Sequence, residues 1–235
     1  MKNTFLLLVL FISVAAFAQK ITGDELLEKS INFHDPTRNW ETFHGELIVT
    51  METSNGVPRK SSIRINLPEQ YFSVKTIRDT ITTTYTIRKR DCNIAINGNE
   101  NPSEEQIKKF SLSCERANMY KNYYTYLYGL PMKLKDEGTI IHQKVTTKKF
   151  KGKEYLVLKV NYSKEVGKDT WYFYFNPKTY AMEVYQFFKE EKDSGEYILL
   201  SGLETINDIK MPKNRAWYYN KDEGYLGTDI LSSKK

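Results

Sequence analysis

Three histidines and two cysteines are the residues best suited to metal binding or nucleophilic catalysis. His34, His44 and His142 are far apart in the chain, and none has a second histidine at the H-x-x-x-H spacing that places two ligands on one helix face. Cys92 and Cys114 have no neighbouring histidine that could act as a base. The chain also contains no G-x-S-x-G or G-x-G-x-x-G motif. We therefore predict a protein that is not an enzyme and uses no metal or cofactor.

Residues 1–18 have the pattern of a secretory signal peptide. Lys2 supplies the positive charge, an apolar segment follows, and Ala16-Phe17-Ala18 is a small-x-small cleavage site. The apolar segment is shorter than the roughly 20 residues that a membrane-spanning helix needs, which disfavours the alternative of an uncleaved anchor. No cysteine follows Ala18, so lipidation of the new N-terminus is excluded. We predict export to the periplasm of a Gram-negative bacterium, with no stable membrane anchor.

In an oxidising compartment, an even number of cysteines favours a disulfide. A bond between Cys92 and Cys114 would close a loop of roughly 20 residues and stabilise the fold by about 3 kcal/mol. Two buried free thiols are the alternative, because the sequence does not fix the distance between the two side chains.

The charge pattern argues against nucleic acid as a partner. The chain has 35 basic and 29 acidic residues, and the two signs are interspersed. The densest basic run, residues 148–153, is typical of a solvated hairpin tip, with contact to anionic lipid headgroups or a partner as the alternative.

Most of the chain after Trp40 alternates apolar and polar residues with the period of two that is typical of β-strands. The run 81–88, rich in β-branched residues, is an example, and turn signals such as Asn97-Gly98 and Met211-Pro212 separate the runs. We predict a mainly β (α+β) protein, with residues 19–235 forming a single domain. Its curled antiparallel sheet of about ten to eleven strands would be an incomplete barrel with two to three helices on the concave side.

Two segments have helical spacing. One is 23–33, and the other begins at Cys114 and ends at Gly129, just before Pro131. Met119, Tyr123, Tyr126 and Leu127 are predicted to form the stripe of the second helix that faces the sheet. We interpret this helix as a lid whose start would be fixed by the disulfide.

The strand 171–175 is aromatic on both faces, which fits either a central strand covered on both sides or a wall of an apolar cavity. The cavity hypothesis assigns eight lining residues to the lid and the nearby strands. They are Tyr123, Leu127, Leu130, Met132, Leu158, Trp171, Phe173 and Phe175.

The order of these features resembles a known family. A signal peptide, an N-terminal helix, a strand opening with Trp40, Phe43 and Gly45, and a long meander interrupted by helices are similar to the periplasmic lipoprotein-carrier half-barrels, the LolA/LolB/LppX-like proteins. The segments 128–136, 217–219 and 226–229 more closely resemble an uncharacterised family of exported proteins from Bacteroidota.

The resemblance implies a half-barrel whose apolar cavity holds acyl chains without a cofactor. The arginine that closes the lid in such carriers matches no single position here, although Arg64, Arg78 and Arg88 lie on early strands. We expect a monomer that binds a lipid or lipidated protein, the oligomeric state being open. The alternatives are a structural or interaction protein with a filled core, and an envelope hydrolase whose site comes from remote residues.

Overall fold

The computed structural model describes residues 20–189 and 193–233, so the predicted signal peptide (1–18) lies outside the described residues. The described chain forms an antiparallel sheet of 13 strands. They are β1 His44–Glu52, β2 Arg59–Asn66, β3 Tyr71–Arg78, β4 Ile81–Arg88, β5 Asp91–Ile96, β6 Thr139–Ile141, β7 Thr146–Phe150, β8 Lys153–Tyr162, β9 Thr170–Phe175, β10 Met182–Phe188, β11 Glu196–Ile206, β12 Ile209–Tyr219 and β13 Tyr225–Ser233.

The sheet curls without closing into a barrel. Its strand order is β5-β4-β3-β2-β1-β13-β12-β11-β10-β9-β8-β6, and β7 forms a hairpin with β8. The first and last strands, β1 and β13, therefore pair in the interior of the sheet. All other neighbours from β1 to β5 and from β8 to β13 are consecutive in sequence, so short connections can join them.

The predicted fold class is confirmed, with 13 strands instead of ten to eleven. The predicted turn at Met211-Pro212 is wrong, since both residues lie inside β12. β12 pairs with β13 only from Asn214 onward, so the strand has edge character at Pro212, where the missing N–H is tolerated. Near Pro212, Gly202 of the neighbouring strand β11 adopts a positive φ. It lies between two pairs of opposed residues, Ser201–Asn214 and Leu203–Pro212.

Among the described residues there are three α-helices, one before β1 and two between β5 and β6: α1 Gly23–His34, α2 Glu104–Phe110 and α3 Cys114–Gly129. Short 3₁₀ turns follow α1 at Asn39–Thr42 and α3 at Met132–Lys135.

Helix α1 starts with a capping box, in which the Thr22 side chain accepts from the Glu25 N–H and the Glu25 carboxylate accepts from the Thr22 N–H. At its end, His34 joins two strands. Its Nδ1 lies 2.6 Å from the Lys210 carbonyl, and its Nε2 accepts from the Met182 N–H at 3.0 Å. The ring is therefore held as the neutral tautomer with the proton on Nδ1.

Helix α3 is fixed at its start by a disulfide. Cys114, the first residue of α3, is bonded to Cys92 on the edge strand β5, with 6.0 Å between the two Cα atoms. Ser113 caps the helix by accepting from the Arg116 N–H at 3.2 Å. The predicted disulfide is confirmed.

One hydrophobic cluster runs from α1 and α3 through strands on both halves of the sheet. A smaller cluster of Tyr155, Val157, Tyr174 and Val184 forms on the opposite face. Strand β9 contributes to both clusters, so it is covered on both faces.

The basic run 148–153 was predicted to form a hairpin tip, and the hairpin of β7 and β8 does turn at Lys151. The side chain of Lys151 forms an ion pair with Glu223 at 2.6 Å.

Candidate ligand-binding site beneath helix α3

The eight residues assigned to a cavity all lie in the large hydrophobic cluster or pack against it. Leu158 and Phe173 are directly opposite each other on β8 and β9, and Phe175 lies on the same face. Both Phe side chains and Leu158 have no exposed surface, and Leu127 on α3 is only 4% exposed. Trp171 and Tyr123 are partly buried against the same cluster. The structure therefore gathers these residues into the packed layers between the helices and the sheet.

Tyrosine rings make the contact between α3 and the sheet. Tyr120 packs on Tyr85 with 5.4 Å between ring centres, and Tyr126 packs edge-on against Trp171 at 5.8 Å. Tyr123 stacks on Trp217 of β12 at 6.2 Å. The helix thus contacts both halves of the sheet.

The predicted inner stripe of α3 is partly wrong. Met119 is 54% exposed and points to solvent, whereas Tyr124 and Tyr128, which the stripe omitted, are fully covered. Tyr124 stacks against Phe72 of β3 with 6.5 Å between ring centres. Tyr124 and Tyr128 are four residues apart and therefore share one face of the helix, and their largely apolar rings pack well in the interior.

Charged residues are buried where α3 crosses the middle of the sheet. Arg59, Met51, Asp229 and Arg215 are directly opposite one another on the neighbouring strands β2, β1, β13 and β12. Opposed residues of antiparallel strands project from the same face. Arg215 is 1% exposed and Asp229 is 3% exposed. We call Arg59, Asp229, Arg215 and the nearby side chains of Tyr123, Tyr128 and Tyr185 the buried polar cluster.

Arg215 connects the sheet to the last turn of α3. Its Nη1 donates to the Pro212 carbonyl at 2.7 Å, and its Nη2 donates to the Leu127 carbonyl at 3.4 Å. The guanidinium also lies over the ring of Tyr128, 3.9 Å from the ring centre. The sequence does not single out Arg215, because its place beneath α3 depends on the pairing of β12 with β13 and on the course of the helix, whereas the arginines named above lie on early strands.

Asp229 accepts a hydrogen bond from the Tyr123 hydroxyl at 3.1 Å. Burial raises the pKa of this carboxyl, while the Tyr123 hydrogen bond and the charges of Arg215 and Arg59 act in the opposite direction. Burial, followed by the Asp229 charge, raises the pKa of Tyr123 well above its usual value. Tyr123 therefore stays protonated and acts as a donor.

Several donors in the buried polar cluster lack an acceptor. Within the described ranges, the hydroxyls of Tyr128 and Tyr185 and the Nε atoms of Arg59 and Arg215 are buried without a hydrogen bond of good geometry. Burial raises the pKa of both tyrosines, and the neighbouring Arg215 charge only partly offsets this effect. Both hydroxyls therefore remain protonated. Buried donors without partners are rare in folded proteins, which marks this cluster as unusual.

A pocket of about 400 Å³ lies on the other side of the α3 C-terminus. Its apolar lining consists of Ile31, Trp40, Leu67 and Met132, and its polar lining of Asp35, Arg38, Glu41, Lys133, Lys135 and Asp136. Met132 is the predicted cavity residue that reaches this pocket. Trp40 also packs closely against Gly129, since a Cβ atom added to Gly129 would lie only 2.3 Å from the indole ring. Gly129 follows Tyr128 directly, so the end of α3 contacts both Trp40, which lines the pocket, and Arg215 of the buried polar cluster.

Comparison with known proteins places this arrangement in a family. Residues 2–233 match the model of a family described as "Family of unknown function (DUF6503)". The chain belongs to this family. A search of curated proteins gives no match.

Solved structures share the fold of this family member. A LolA superfamily protein from Nitrosomonas europaea superposes with a TM-score of 0.55 over 91% of this chain and 92% of that chain, at 10% identity. A DUF1329 family protein from Desulfovibrio piger gives 0.52, with 89% and 91% of the two chains covered, also at 10% identity. The likeness establishes a LolA-like fold.

Neither a metal-binding group nor a membrane-spanning helix occurs in the part of the chain that the structure describes. No group of three or more histidine, cysteine, aspartate or glutamate side chains there is arranged to hold a metal ion. In the same residues, no helix has the length and apolar character needed to cross a membrane.

Proposed function

We propose that the protein is an exported, non-enzymatic carrier that binds an apolar ligand, a lipid or the acyl chain of a lipoprotein, between α3 and the concave face of the sheet. One observation carries this proposal: α3 lies across an unclosed sheet and is fastened at both ends. Cys114 is bonded to Cys92 at its start, and the Leu127 carbonyl accepts from Arg215 at its end. The second fastening consists of a hydrogen bond of 3.4 Å and the contact of Arg215 with the Tyr128 ring. Both are non-covalent, whereas the first fastening is a disulfide, so the end near Leu127 is the one that opens.

The tyrosine-rich contact supports this mode of opening. A helix that leaves a sheet exposes the surface that it had buried. The rings of Tyr120, Tyr123 and Tyr126 carry hydroxyls that water can hydrate, so exposure costs less than it would for leucine or phenylalanine. The side chains that remain on the sheet, such as Leu158 and Phe173, would then contact an acyl chain.

Two features support the proposed export to an oxidising compartment. A disulfide is stable in oxidising surroundings, and residues 1–18 have the pattern of a signal peptide. The LolA-like fold adds support, since the lipoprotein carriers that the sequence resembles work in the periplasm. The proposed mature form is a monomeric domain of residues 19–235.

Native mass spectrometry and photo-crosslinking test the proposal. Protein purified from its own cell envelope is expected to retain a lipid mass. A fatty acid with a diazirine near its chain end is then expected to label Tyr123, Leu127 or Trp171, as located by peptide mapping. Labelling confined to Phe150 and Tyr174 on the opposite face, or the absence of both bound lipid and labelling, would contradict it.

A second candidate function is an interaction protein with a closed interior. The observation that favours it is the tight packing of the assigned cavity residues, among which Leu158, Phe173 and Phe175 have no exposed surface. This candidate predicts that the envelope-purified protein carries no lipid and that the fatty acid probe neither binds nor labels it.

A further inference from the structure

The charges beneath α3 do not balance. Arg59 and Arg215 bring two positive charges to the row of opposed residues, and Asp229 brings one negative charge. Among the described residues, none of the three forms a direct ion pair, and the two Arg215 hydrogen bonds go to main-chain carbonyls. Glu196, a further carboxylate near Tyr185, has Lys189 as its own cationic neighbour. Arg59 is only partly buried, but Arg215 is 1% exposed, so a cation without a direct ion pair lies in a region from which water is excluded, which is costly without a counter-ion.

The unpartnered groups near these charges are donors. The Tyr128 and Tyr185 hydroxyls and the Arg215 Nε all lack an acceptor within the described chain, and all three side chains are at least 99% buried. Tyr128 lies against the guanidinium of Arg215, and the ring of Tyr185 packs edge-on against Trp217 at 6.1 Å. The charge of Arg215 also acts on Tyr185, so the donors lie around the same cation.

We propose that the ligand of this protein carries an acidic head group, a carboxylate such as that of a long-chain fatty acid, which binds to Arg215 and to the hydroxyls of Tyr128 and Tyr185. This inference rests on the proposed function and names the chemical class of its ligand. A carboxylate supplies both the missing negative charge and several lone pairs for the unpartnered donors. Water would satisfy the hydroxyls but would leave the charge uncompensated.

The surroundings of the cluster specify what the acid must be attached to. Tyr123 stacks on Trp217 beside Asp229, and Trp171 and Phe187 continue the aromatic surface with 4.8 Å between ring centres. Beyond them lie the buried side chains of β8 and β9, including Leu158 and Phe173. An extended hydrocarbon chain fits such a surface, whereas a small hydrophilic acid would leave it uncovered.

A pair of probes that differ only in the acid tests this inference. cis-Parinaric acid and its methyl ester share one fluorescent chain, and both are titrated into delipidated protein at pH 8, where the acid is ionised. The acid is expected to bind at least about tenfold more tightly, the loss that follows from removing a charge-assisted hydrogen bond. Equal binding of acid and ester would overturn the inference and leave the proposed function standing. Failure of both probes to bind would overturn both.

Substitutions in the buried polar cluster test where the acidic head group binds. Arg215→Gln is expected to lower the ratio of acid to ester affinity about tenfold or more, because loosening of the end of α3 affects both probes alike whereas the lost charge affects only the acid. The control Arg64→Gln removes an arginine whose side chain is 59% exposed on β2, and it should change neither probe. If circular dichroism shows that Arg215→Gln does not fold, Tyr185→Phe replaces it and should weaken the acid about threefold or more. An unchanged ratio of acid to ester affinity in a folded variant would overturn the assignment.

Discussion

The guanidinium of Arg215 on β12 lies 3.9 Å from the ring centre of Tyr128 on α3. The same side chain donates to the carbonyl of Leu127, one residue earlier in the helix. A single side chain of the sheet therefore contacts both the backbone and a ring of the last turn of α3. Because Arg215 is almost completely buried, this contact is shielded from bulk water.

Replacing Arg215 by leucine is expected to lower the free energy of unfolding by about 3–5 kcal/mol, as measured by urea denaturation. The change leaves Asp229 with one fewer compensating cation and removes the donors to the Leu127 and Pro212 carbonyls. Adding Asp229→Asn should restore at least about 1 kcal/mol, because it removes a buried carboxylate whose remaining cationic neighbour, Arg59, is partly exposed. Arg64→Leu is the exposed control, and a loss from it as large as that from Arg215→Leu would contradict the argument.

Stability is expected to fall in acid because of His34. Burial lowers the pKa of His34 from 6.5 to about 4. In the unfolded chain the ring takes up a proton near pH 6.5, so the contribution of the neutral ring is complete above that pH and is lost as pH falls towards 4. The expected loss is about 3 kcal/mol.

Urea unfolding between pH 4 and 7 measures this effect. His34→Gln should flatten the curve, because the amide offers a donor and an acceptor without titrating in this range. His44→Gln, which changes an exposed ring, should leave the curve unaltered. Parallel curves for the wild type and His34→Gln would show that another group causes the acid sensitivity.

The contact between Trp40 and Gly129 leaves no room for a side chain. Gly129→Ala is expected to destabilise the fold by about 1–3 kcal/mol, since its Cβ would meet the indole at 2.3 and 2.5 Å. Gly167→Ala is the matched control, because nothing lies within 4 Å of its Cβ position. Thermal unfolding of the two variants compares them directly, and equal shifts would refute the tight contact.

Reduction of the disulfide tests α3 as a lid. Opening the Cys92–Cys114 bond, which joins residues 22 apart, should lower the free energy of unfolding by about 3 kcal/mol. It should also accelerate uptake of a fluorescent fatty acid, because the start of α3 is then free. Cys92→Ser/Cys114→Ser should reproduce both effects without a reductant. Lower stability with an unchanged rate of uptake would mean that the disulfide serves the fold alone.

The regular elements of the fold could be predicted because they depend on local patterns. The alternation in 81–88 and the stop at Gly129 each identify an element without knowledge of its partner. Pro212 was misread as a turn because its tolerance depends on where β13 stops pairing, which is a property of the assembled sheet. Sequence alone does not carry that information.

The candidate site was harder to predict for the same reason. Arg59, Asp229 and Arg215 come from distant parts of the chain, and only the pairing of β1 with β13 brings them into one row. Leu158 and Phe173 were recognisable as inward-facing because strand alternation is local. Buried charges look like ordinary surface residues until the register of the sheet is known.

The pairing of β1 with β13 also sets an order for folding. The strands from β1 to β5 can pair as hairpins before the rest of the chain is available, but β13 is the last of the described strands and must join β1 on one side and β12 on the other. Asp229 lies on that strand. The row from Arg59 to Arg215 is therefore complete only once the C-terminus has docked, so an unfinished chain presents two half-sheets without a site between them.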